Sequence, residues 1–293
     1  MGYHVIENDV LKVTIADAGA ELVSVIDKTT GEEKMWDANP AVWNRHAPIL
    51  FPFVGKVADG CYRYQGKEYS MKTQHGFARD RDFTLAEENA LAVTMALKSD
   101  EASLGIYPFE FELLVTHALQ AGDDRSLEVK WEIRNKGGED MYYSIGGHPG
   151  FVTPDRETYY LEFPGKDSLE YLLLNTDTGL AVTTKSYQLE TDEGFVSIRP
   201  DMFDLDALVF EKSQIAEVRL AKPDKSPYVT LRCPGFPFVG IWSKPEGDFV
   251  CLEPWLGRTD DDGFAGELPD KTGEQVLAGG ETKTVSYELI FHE

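Results

Sequence analysis

Hydrophobic and polar residues alternate along most of this chain, with a period of two rather than the longer period of an α-helix. The segment Val10–Ala16 (VLKVTIA) shows the pattern, and the runs on either side of Gln65-Gly66, within Cys61–Met71, predict a hairpin. Successive side chains of a strand point to opposite faces, so these runs predict strands with one face in a core. The other predicted strands are Ala20–Asp27, Leu91–Lys98, Phe109–Leu119, Ser126–Arg134, Met141–Ile145, Tyr159–Phe163, Phe195–Arg199, Ala207–Glu211, Ile215–Ala221, Tyr228–Cys233, Phe238–Ser243, Phe249–Leu252 and Thr282–Phe291.

Helical periodicity is weak throughout the sequence. Short helical turns are predicted only near Pro40–Asn44 and Leu169–Leu174. Strands that alternate with long helices would indicate an α/β fold, and that pattern is missing. No linker rich in Pro, Gly or Ser divides the chain. We therefore expect an all-β fold in which residues 1–293 form a single domain of two large, mostly antiparallel sheets packed face to face.

Charge and cysteine content narrow the class of protein. The net charge is −23, and an acidic chain repels the phosphates of nucleic acids and anionic membranes. The three cysteines are widely spaced and form no CxxC pair, which argues against a disulfide framework and against a thiolate zinc site. The N-terminus lacks a signal-peptide pattern, and no apolar run has the roughly 20 residues of a membrane helix. We expect a cytoplasmic protein without nucleic-acid or membrane partners.

Several stretches break the alternation in ways that a scaffold of strands and turns does not need. Ala47–Lys56 carries two prolines within an apolar run, so it cannot be a regular central strand. Gln74–Asp80 sets a histidine beside a glycine, and Ser144–Phe151 surrounds another with glycines and a proline. In Phe249–Arg258 an apolar strand runs into Glu253, and a buried carboxylate is costly unless it has a partner or a purpose.

These stretches also have structural explanations that involve no chemistry. His75 fits a surface loop in which the ring is simply hydrogen-bonded. Glu253 fits a salt bridge with Arg258, and Arg79 fits one with Asp80 or Asp82. The aromatic side chains near the motifs fit core packing as well as contact with the apolar face of a sugar. These side chains are Phe77, Phe151, Trp242 and Trp255.

Read together and in order, the motifs APILFPFVGK, QHGFARD, GGHPGF, VGIWSKP and CLEPWLGR resemble those of the aldose 1-epimerase (galactose mutarotase) family. The resemblance is closest to the bacterial LacX-like branch of that family and extends from Asn8 to Phe291. It implies a galactose mutarotase-like β-supersandwich with an open cleft on one sheet. It also implies a sugar substrate and no cofactor, and it leaves a homodimer open.

The resemblance also implies roles for individual residues. Glu253 matches the general base of the family, and His148 matches the general acid that protonates the ring oxygen of the sugar. His75 matches the histidine that steadies the sugar. Asp206, with Asp204 as an open alternative, matches the aspartate that holds sugar hydroxyls.

Further residues are predicted to bind substrate. The family usually has arginine where this chain has Lys56, which keeps the charge but lacks the planar fork of a guanidinium. Trp242 is expected to present its ring to the sugar. A related branch acts on hexose 6-phosphates and carries an arginine in an HGFAR-like motif, as Arg79 does here. Arg45 would add positive charge nearby.

The residue types suit anomer exchange independently of the resemblance. Opening a hemiacetal ring requires one group to take the proton of the anomeric hydroxyl while another protonates the ring oxygen. Reference pKa values of about 4.3 for Glu and about 6.5 for His make the first a base and the second an acid near neutrality. Neither step requires a metal or a cofactor. We therefore predict an aldose 1-epimerase, an isomerase acting on an aldohexose such as galactose or glucose.

Other functions remain open at this point. Hexose 6-phosphates are an alternative substrate class, and a non-catalytic carbohydrate-binding sandwich would need no acid–base pair. A metal site with His75, His148 and Glu253 as ligands would form a facial triad, although the ligands lack a short spacing. A glycoside hydrolase would need two carboxyl groups roughly 5–10 Å apart, and only Glu253 has motif support.

Overall fold

The computed structural model describes residues 2–122 and 124–293, and β-strands dominate this part of the chain. The one α-helix in these residues is α1 (Glu101–Ile106), and short 3-10 turns occur at Ala58–Gly60, Ala78–Asp80, Arg156–Thr158 and Leu268–Asp270. The strands are β1 (Tyr3–Glu7), β2 (Leu11–Ala16), β3 (Leu22–Asp27), β4 (Ile49–Leu50), β5 (Cys61–Tyr64), β6 (Lys67–Ser70), β7 (Thr84–Glu88), β8 (Ala92–Lys98), β9 (Phe111–Leu119), β10 (Ser126–Asn135), β11 (Met141–Tyr143), β12 (Ile145–Gly147), β13 (Gly150–Val152), β14 (Tyr160–Glu162), β15 (Ser168–Leu172), β16 (Tyr187–Glu190), β17 (Phe195–Ser197), β18 (Leu208–Phe210), β19 (Glu217–Ala221), β20 (Pro227–Arg232), β21 (Phe238–Trp242), β22 (Phe249–Leu256), β23 (Gln275–Leu277) and β24 (Thr282–Phe291).

Two large sheets form the body of the molecule. The first, here called the back sheet, has the strand order β17-β14-β19-β20-β24-β10-β9-β8-β7. The second, the site sheet, has the order β16-β15-β18-β21-β22-β12-β4, and β13 also pairs with β22. Neighbouring strands in both are antiparallel, for example β10 with β24 and β21 with β22. The predicted all-β class with two large antiparallel sheets is confirmed.

Strand β22 shows how the site sheet separates the core from the site. All eight of its residues are buried, and Glu253 is the one charged side chain among them. Val250, Leu252 and Leu256 belong to the main hydrophobic core. Alternate residues of a strand point to opposite faces, so Glu253 and Trp255 lie on the other face. The carboxylate is therefore buried outside the main core.

One of the two predicted helical turns is wrong. Leu169–Leu174 largely forms β15, which pairs with β16 and β18, because an apolar run this short is compatible with either structure until cross-strand partners decide. Near Pro40–Asn44 the N–H groups of Val42 and Trp43 both donate to the Asn39 carbonyl, so this segment forms a single helical turn, as predicted. The helix α1 was not predicted, although Asp100 and Ser103 form a capping box at its start.

Two other local predictions agree with the structure. Gln65 and Gly66 both have positive φ, as the predicted hairpin turn between β5 and β6 requires. Ala47–Lys56 contains only the two-residue strand β4, which ends before the cis peptide Phe51-Pro52. No helix among the described residues has the length and apolar character that a membrane crossing requires.

Candidate active site

A cavity of about 470 Å³ lies on the side of the site sheet that faces away from the main core. The sequence-predicted site residues come from distant parts of the chain, yet all of them line this one cavity. They are Lys56, His75, Arg79, His148, Asp206, Trp242 and Glu253, together with the alternative Asp204. A volume of this size is typical of small-molecule sites.

Trp255 forms part of the cavity wall, and two glycines leave room for its ring. A Cβ atom on Gly146 would lie 2.5 Å from Trp255 Cδ1, and one on Gly240 would lie 2.3 Å from the Cζ2 and Cη2 atoms of the same ring. Gly146 is on β12 and Gly240 on β21, the two strands that flank β22. The indole therefore packs directly on the sheet backbone, which only glycine at both positions allows.

Glu253 and His148 meet inside the cavity. Glu253 projects from β22, and His148 lies in the turn between β12 and β13. The distance from His148 Nε2 to Glu253 Oε2 is 3.3 Å, and both side chains are buried. The Trp43 ring stacks on the imidazole at a centroid distance of 4.9 Å, and the Trp242 ring approaches at 5.4 Å. The orientation of the imidazole is thus fixed by two aromatic rings.

Burial favours the uncharged forms of both members of this pair. Burial, with the nearby Asp206 charge as a smaller cause, raises the pKa of the Glu253 carboxyl well above its usual range. Burial lowers the pKa of the His148 imidazole to about 3, and the charge of Arg79 acts in the same direction. A protonated Glu253 carboxyl beside a neutral His148 imidazole is therefore the favoured arrangement. This differs from the charged pair that reference pKa values suggest.

His75 adopts a left-handed backbone conformation, with φ +67°, next to Gly76. A Cβ on Gly76 would lie 2.3 Å from the Phe51 carbonyl oxygen, so the motif needs glycine there. The N–H of Gly55 donates to His75 Nδ1 at 3.0 Å, and the His75 N–H donates to the Gly55 carbonyl at 2.6 Å. Because Nδ1 accepts, a neutral His75 ring carries its proton on Nε2.

The neutral form of His75 is favoured. Burial lowers the pKa of His75 well below its usual value, and His148 and Arg79 lower it further. The ring lies 5.5 Å from the His148 ring, edge to face. A neutral imidazole with a proton on Nε2 is a hydrogen-bond donor without a charge, which suits contact with a sugar oxygen.

Asp204 and Asp206 both line the cavity, and the charges favour Asp206 as the residue nearer the pair. Asp206 has φ +71°, and the N–H of Ala207 donates to its Oδ1 at 2.8 Å. The Asp206 side chain is exposed to the open cavity, yet the surrounding protein raises its pKa. Its charge contributes to the raised pKa of Glu253. The assignment of the sugar-binding aspartate stays a prediction.

Positively charged groups line the same cavity. The aliphatic part of Lys56 packs against Gly179, where an added Cβ would lie 3.0 Å from the Lys56 Cδ and Cε atoms. Arg79 makes only a long contact with Asp80, 3.9 Å from Nε, because Asp80 pairs with Arg45. Lys244 Nζ donates to the Val42 carbonyl at 2.8 Å. The cavity thus has three positive side chains, Lys56, Arg79 and Lys244, beside the acidic Asp204 and Asp206.

The structural explanation of Glu253 as a salt-bridge partner of Arg258 is wrong. Arg258 instead pairs with Glu211 and Asp261, each at 2.6 Å. Phe77 and Phe151 pack in the main core, as their structural explanation predicted. Trp242 and Trp255 line the cavity. The aromatic residues of the motifs therefore divide between the core and the site.

Other cavity residues were not identified from the sequence. Trp43 and Phe203 lie outside regular strands and outside the motifs, so no periodicity or spacing marks them. Lys244 was a better candidate, since it belongs to the motif VGIWSKP. Thr259 also lines the cavity, and its hydroxyl accepts a hydrogen bond from the Lys56 N–H at 3.1 Å.

The cluster of potential metal ligands differs from the triad weighed as an alternative in the sequence. A ring nitrogen of His148, Sγ of Cys251 and a carboxylate oxygen of Glu253 lie within 4.8 Å of one another. The third potential ligand is therefore Cys251, not His75. The difference arises because Cys251 and Glu253 share one face of β22.

Fold and site together define a β-sandwich with a small-molecule cavity on one sheet, and sequence comparison identifies its family. The family model for aldose 1-epimerase matches residues 3–277. The chain belongs to the aldose 1-epimerase family and is an isomerase of the carbohydrate epimerase class.

Individual relatives cover the whole chain. The plasmid-encoded protein LacX of Lactococcus lactis subsp. lactis is 29% identical, over 97% of this chain and 97% of LacX. The X-ray structure of a galactose mutarotase related enzyme from Lactobacillus acidophilus is 35% identical, with a TM-score of 0.93 over 100% of this chain and 98% of that chain. A galactose mutarotase-like protein from Lactobacillus casei is 30% identical, with a TM-score of 0.90 over 99% and 100%. The predicted galactose mutarotase-like supersandwich is confirmed.

Proposed function

We propose that this protein interconverts the α and β anomers of an aldohexose, with Glu253 and His148 as its proton-transfer pair. The observation that carries the proposal is the 3.3 Å contact between His148 Nε2 and Glu253 Oε2 on the wall of a cavity of sugar-binding size. A carbohydrate-binding sandwich without catalysis would need no buried acid–base pair. Burying the two polar groups of such a pair would only lower the stability of the fold. Family membership supports the same reaction type.

The reaction begins with the transfer of the shared proton from Glu253 to His148. The Glu253 carboxylate then takes the proton of the anomeric hydroxyl as the His148 imidazolium gives its proton to the ring oxygen. The bond between the anomeric carbon and the ring oxygen breaks, and an open-chain aldehyde forms. Rotation about the neighbouring carbon–carbon bond presents the other face of the aldehyde, and the same transfers run in reverse to close the ring. The pair regains its proton, so the cycle consumes none.

The remaining cavity residues bind and orient the sugar in this proposal. The Nε2–H of His75 donates to an oxygen of the substrate that gains negative charge as the ring opens. Asp206 accepts hydrogen bonds from sugar hydroxyls, and Lys56 and Arg79 donate to them. The rings of Trp242 and Trp255 contact the apolar face of the pyranose. Each acid or base group contributes about 10²–10⁴-fold to the rate in such reactions.

The decisive experiment follows anomer exchange in wild type, Glu253→Gln and His148→Asn. Polarimetry on freshly dissolved α-glucose and α-galactose measures the approach to equilibrium. Both substitutions keep approximate size while removing a proton-transfer group, so we expect each to lower the enzymatic rate by at least about 10²-fold. Sugar binding to Glu253→Gln, measured by calorimetry, should persist. Full activity in either variant would show that the assigned pair is wrong.

Hexose 6-phosphates are a second candidate substrate class. The positive side chains Lys56, Arg79 and Lys244 on the cavity wall favour it, because a phosphate would neutralise them. Exchange spectroscopy by NMR on glucose, galactose and their 6-phosphates separates the two classes. Preference for a phosphorylated sugar that disappears in Arg79→Gln would support the second candidate, and equal rates for both forms would remove it.

A further inference from the structure

Cys251 lies beside the proton-transfer pair, but the proposed reaction does not use it. It is two residues before Glu253 on β22, so the two side chains project from the same face of the strand. Its thiol sulfur, a ring nitrogen of His148 and a carboxylate oxygen of Glu253 lie within 4.8 Å of one another. All three side chains are buried. The fold therefore brings sulfur, nitrogen and oxygen donors to one point.

The distances suit a tetrahedral cation. With zinc–nitrogen and zinc–oxygen bonds of about 2.0–2.1 Å, a tetrahedral site holds its nitrogen and oxygen donors roughly 3.3 Å apart. His148 Nε2 and Glu253 Oε2 are 3.3 Å apart. A zinc–sulfur bond of about 2.3 Å places sulfur roughly 3.6 Å from each of them. Sγ lies within 4.8 Å of both other donors, so ion binding would draw the Cys251 side chain closer to them.

The electrostatics also favour such an ion. Glu253 Oε2 is buried and accepts no hydrogen bond from the described residues, so it offers an unused donor atom. A divalent ion bound by one thiolate, one carboxylate and a neutral imidazole forms a complex with no net charge, which lowers the cost of burial. Two of the three donors, His148 and Glu253, line the cavity, so water or a sugar hydroxyl there would be available as a fourth ligand. Mg²⁺ and Ca²⁺ prefer sites built from oxygen ligands alone, so the thiol selects against them.

We infer that His148, Cys251 and Glu253 form a binding site for a thiophilic divalent cation of the Zn²⁺ class, and that the bound ion blocks anomer exchange. The thiol proton and the proton shared by His148 and Glu253 pass to solvent when the ion binds. Inhibition follows because the ion occupies both proton-transfer groups, and this half of the inference rests on the proposed function. The binding half rests on the three donors alone.

Binding is tested first, without any sugar. Metal-free protein is titrated with Co²⁺, whose spectrum reports both a tetrahedral site and a cobalt–thiolate bond, and Zn²⁺ is then added to displace it. We expect intense visible bands and a thiolate charge-transfer band in wild type, and loss of the latter in Cys251→Ser. The matched controls are Cys61→Ser, which removes the half-buried thiol, and Cys233→Ser, which removes a buried thiol of the core. Both controls should keep the wild-type spectrum.

Inhibition is tested with the same proteins in the anomer-exchange assay. Cys251→Ser should keep the metal-free rate and should need at least about tenfold more Zn²⁺ for half inhibition, since even residues that only support a ligand change metal affinity by about 10–100-fold. Cys251→Ala, checked by thermal unfolding, repeats the test if the serine variant folds poorly. Mg²⁺ at the same concentration should not inhibit.

The outcomes separate this inference from the proposed function. A wild-type protein that exchanges anomers but shows no cobalt–thiolate band overturns the metal site. The same holds if Zn²⁺ inhibits Cys251→Ser as strongly as wild type. A protein that shows the band, loses it in Cys251→Ser and exchanges no anomer of any sugar keeps the metal site and loses the proposed function.

Discussion

His75 shows how a backbone conformation can fix the chemical form of a side chain. Its left-handed φ turns the ring so that Nδ1 accepts the Gly55 N–H, and this contact leaves the proton of the neutral ring on Nε2. Non-glycine residues adopt such a conformation at a cost of about 1 kcal/mol or more, which the two hydrogen bonds between His75 and Gly55 help to offset. The ring lines the cavity as a neutral donor.

Replacement of His75 by asparagine tests this role. Asparagine tolerates a left-handed backbone better than most residues, so the loop should keep its path while the donor is lost. We expect kcat to fall by about 10²–10³-fold, the cost typical of removing a donor to developing negative charge. Polarimetry measures the rate, and His292→Asn, a substitution on the hydroxyl-bonded histidine near the C-terminus, is the control. A kcat within a few-fold of wild type would mean that His75 does not contact the reacting oxygen.

At the scale of secondary structure, strands β12, β21 and β22 build the cavity wall together. Glycine occurs where the neighbouring strands pass under the ring of Trp255, which on its own strand follows Glu253 by two residues. The small residues in β12 and β21 are thus part of the site, although they make no polar contact. This explains why the motifs GGHPGF and VGIWSKP contain glycines within strands, where glycine otherwise weakens pairing.

Gly240→Ala should disturb the protein at this contact. The added Cβ would lie 2.3 Å from two ring carbons of Trp255, so the ring must move into the cavity. Overpacking of this kind costs about 1–3 kcal/mol, and the displaced ring should raise KM for the sugar. Urea denaturation and initial rates measure the two effects. Gly138→Ala is the control, because a Cβ there meets nothing within 4 Å. If both variants unfold at the same urea concentration, the contact with Trp255 does not restrict the size of the side chain at position 240.

The sequence predicted a strand well where one face of the strand is buried. It predicted poorly a strand that is exposed throughout and a strand that is a short apolar run. The alternation in β9 and β10 is nearly regular, and both were predicted. The residues of β7 are all exposed, so no apolar pattern marked that strand. β15 was interpreted as helical because its short apolar run carries no periodicity of its own. A local sequence pattern indicates which residues are buried, whereas strand formation also depends on pairing partners far along the chain.

For the whole molecule, the motifs predicted which residues meet, but not their protonation. Glu253, His148 and His75 are distant in sequence and line one cavity, as the resemblance implied. Their pKa values depend on the protein that surrounds them, which no motif contains. The proximity of Cys251 to the pair, and the stacking of Trp43 on His148, also result from long-range packing.

Burial also perturbs a histidine remote from the motifs. His117 lies on β9 at a position where the alternating residues face the core, and it is 1% exposed. Its Nδ1 atom has no hydrogen-bond partner within the described part of the chain. Burial alone lowers the pKa of His117 to about 4. The folded protein therefore binds a proton at His117 less readily than the unfolded chain does.

His117→Leu should change how stability depends on pH. The native pKa is depressed, so the stability that neutral His117 confers is complete above about pH 6.5 and is lost as the pH falls toward 4. The loss amounts to about 3 kcal/mol, and leucine, which does not titrate, should escape it. Urea denaturation of both proteins from pH 7.5 to 4 measures the difference. The comparison is needed because Glu274, whose pKa burial raises to about 7, gives wild type the opposite slope over part of this range. A difference between the two proteins that stays constant with pH would mean that folding does not depress the pKa of His117, and hence that its side of β9 admits water.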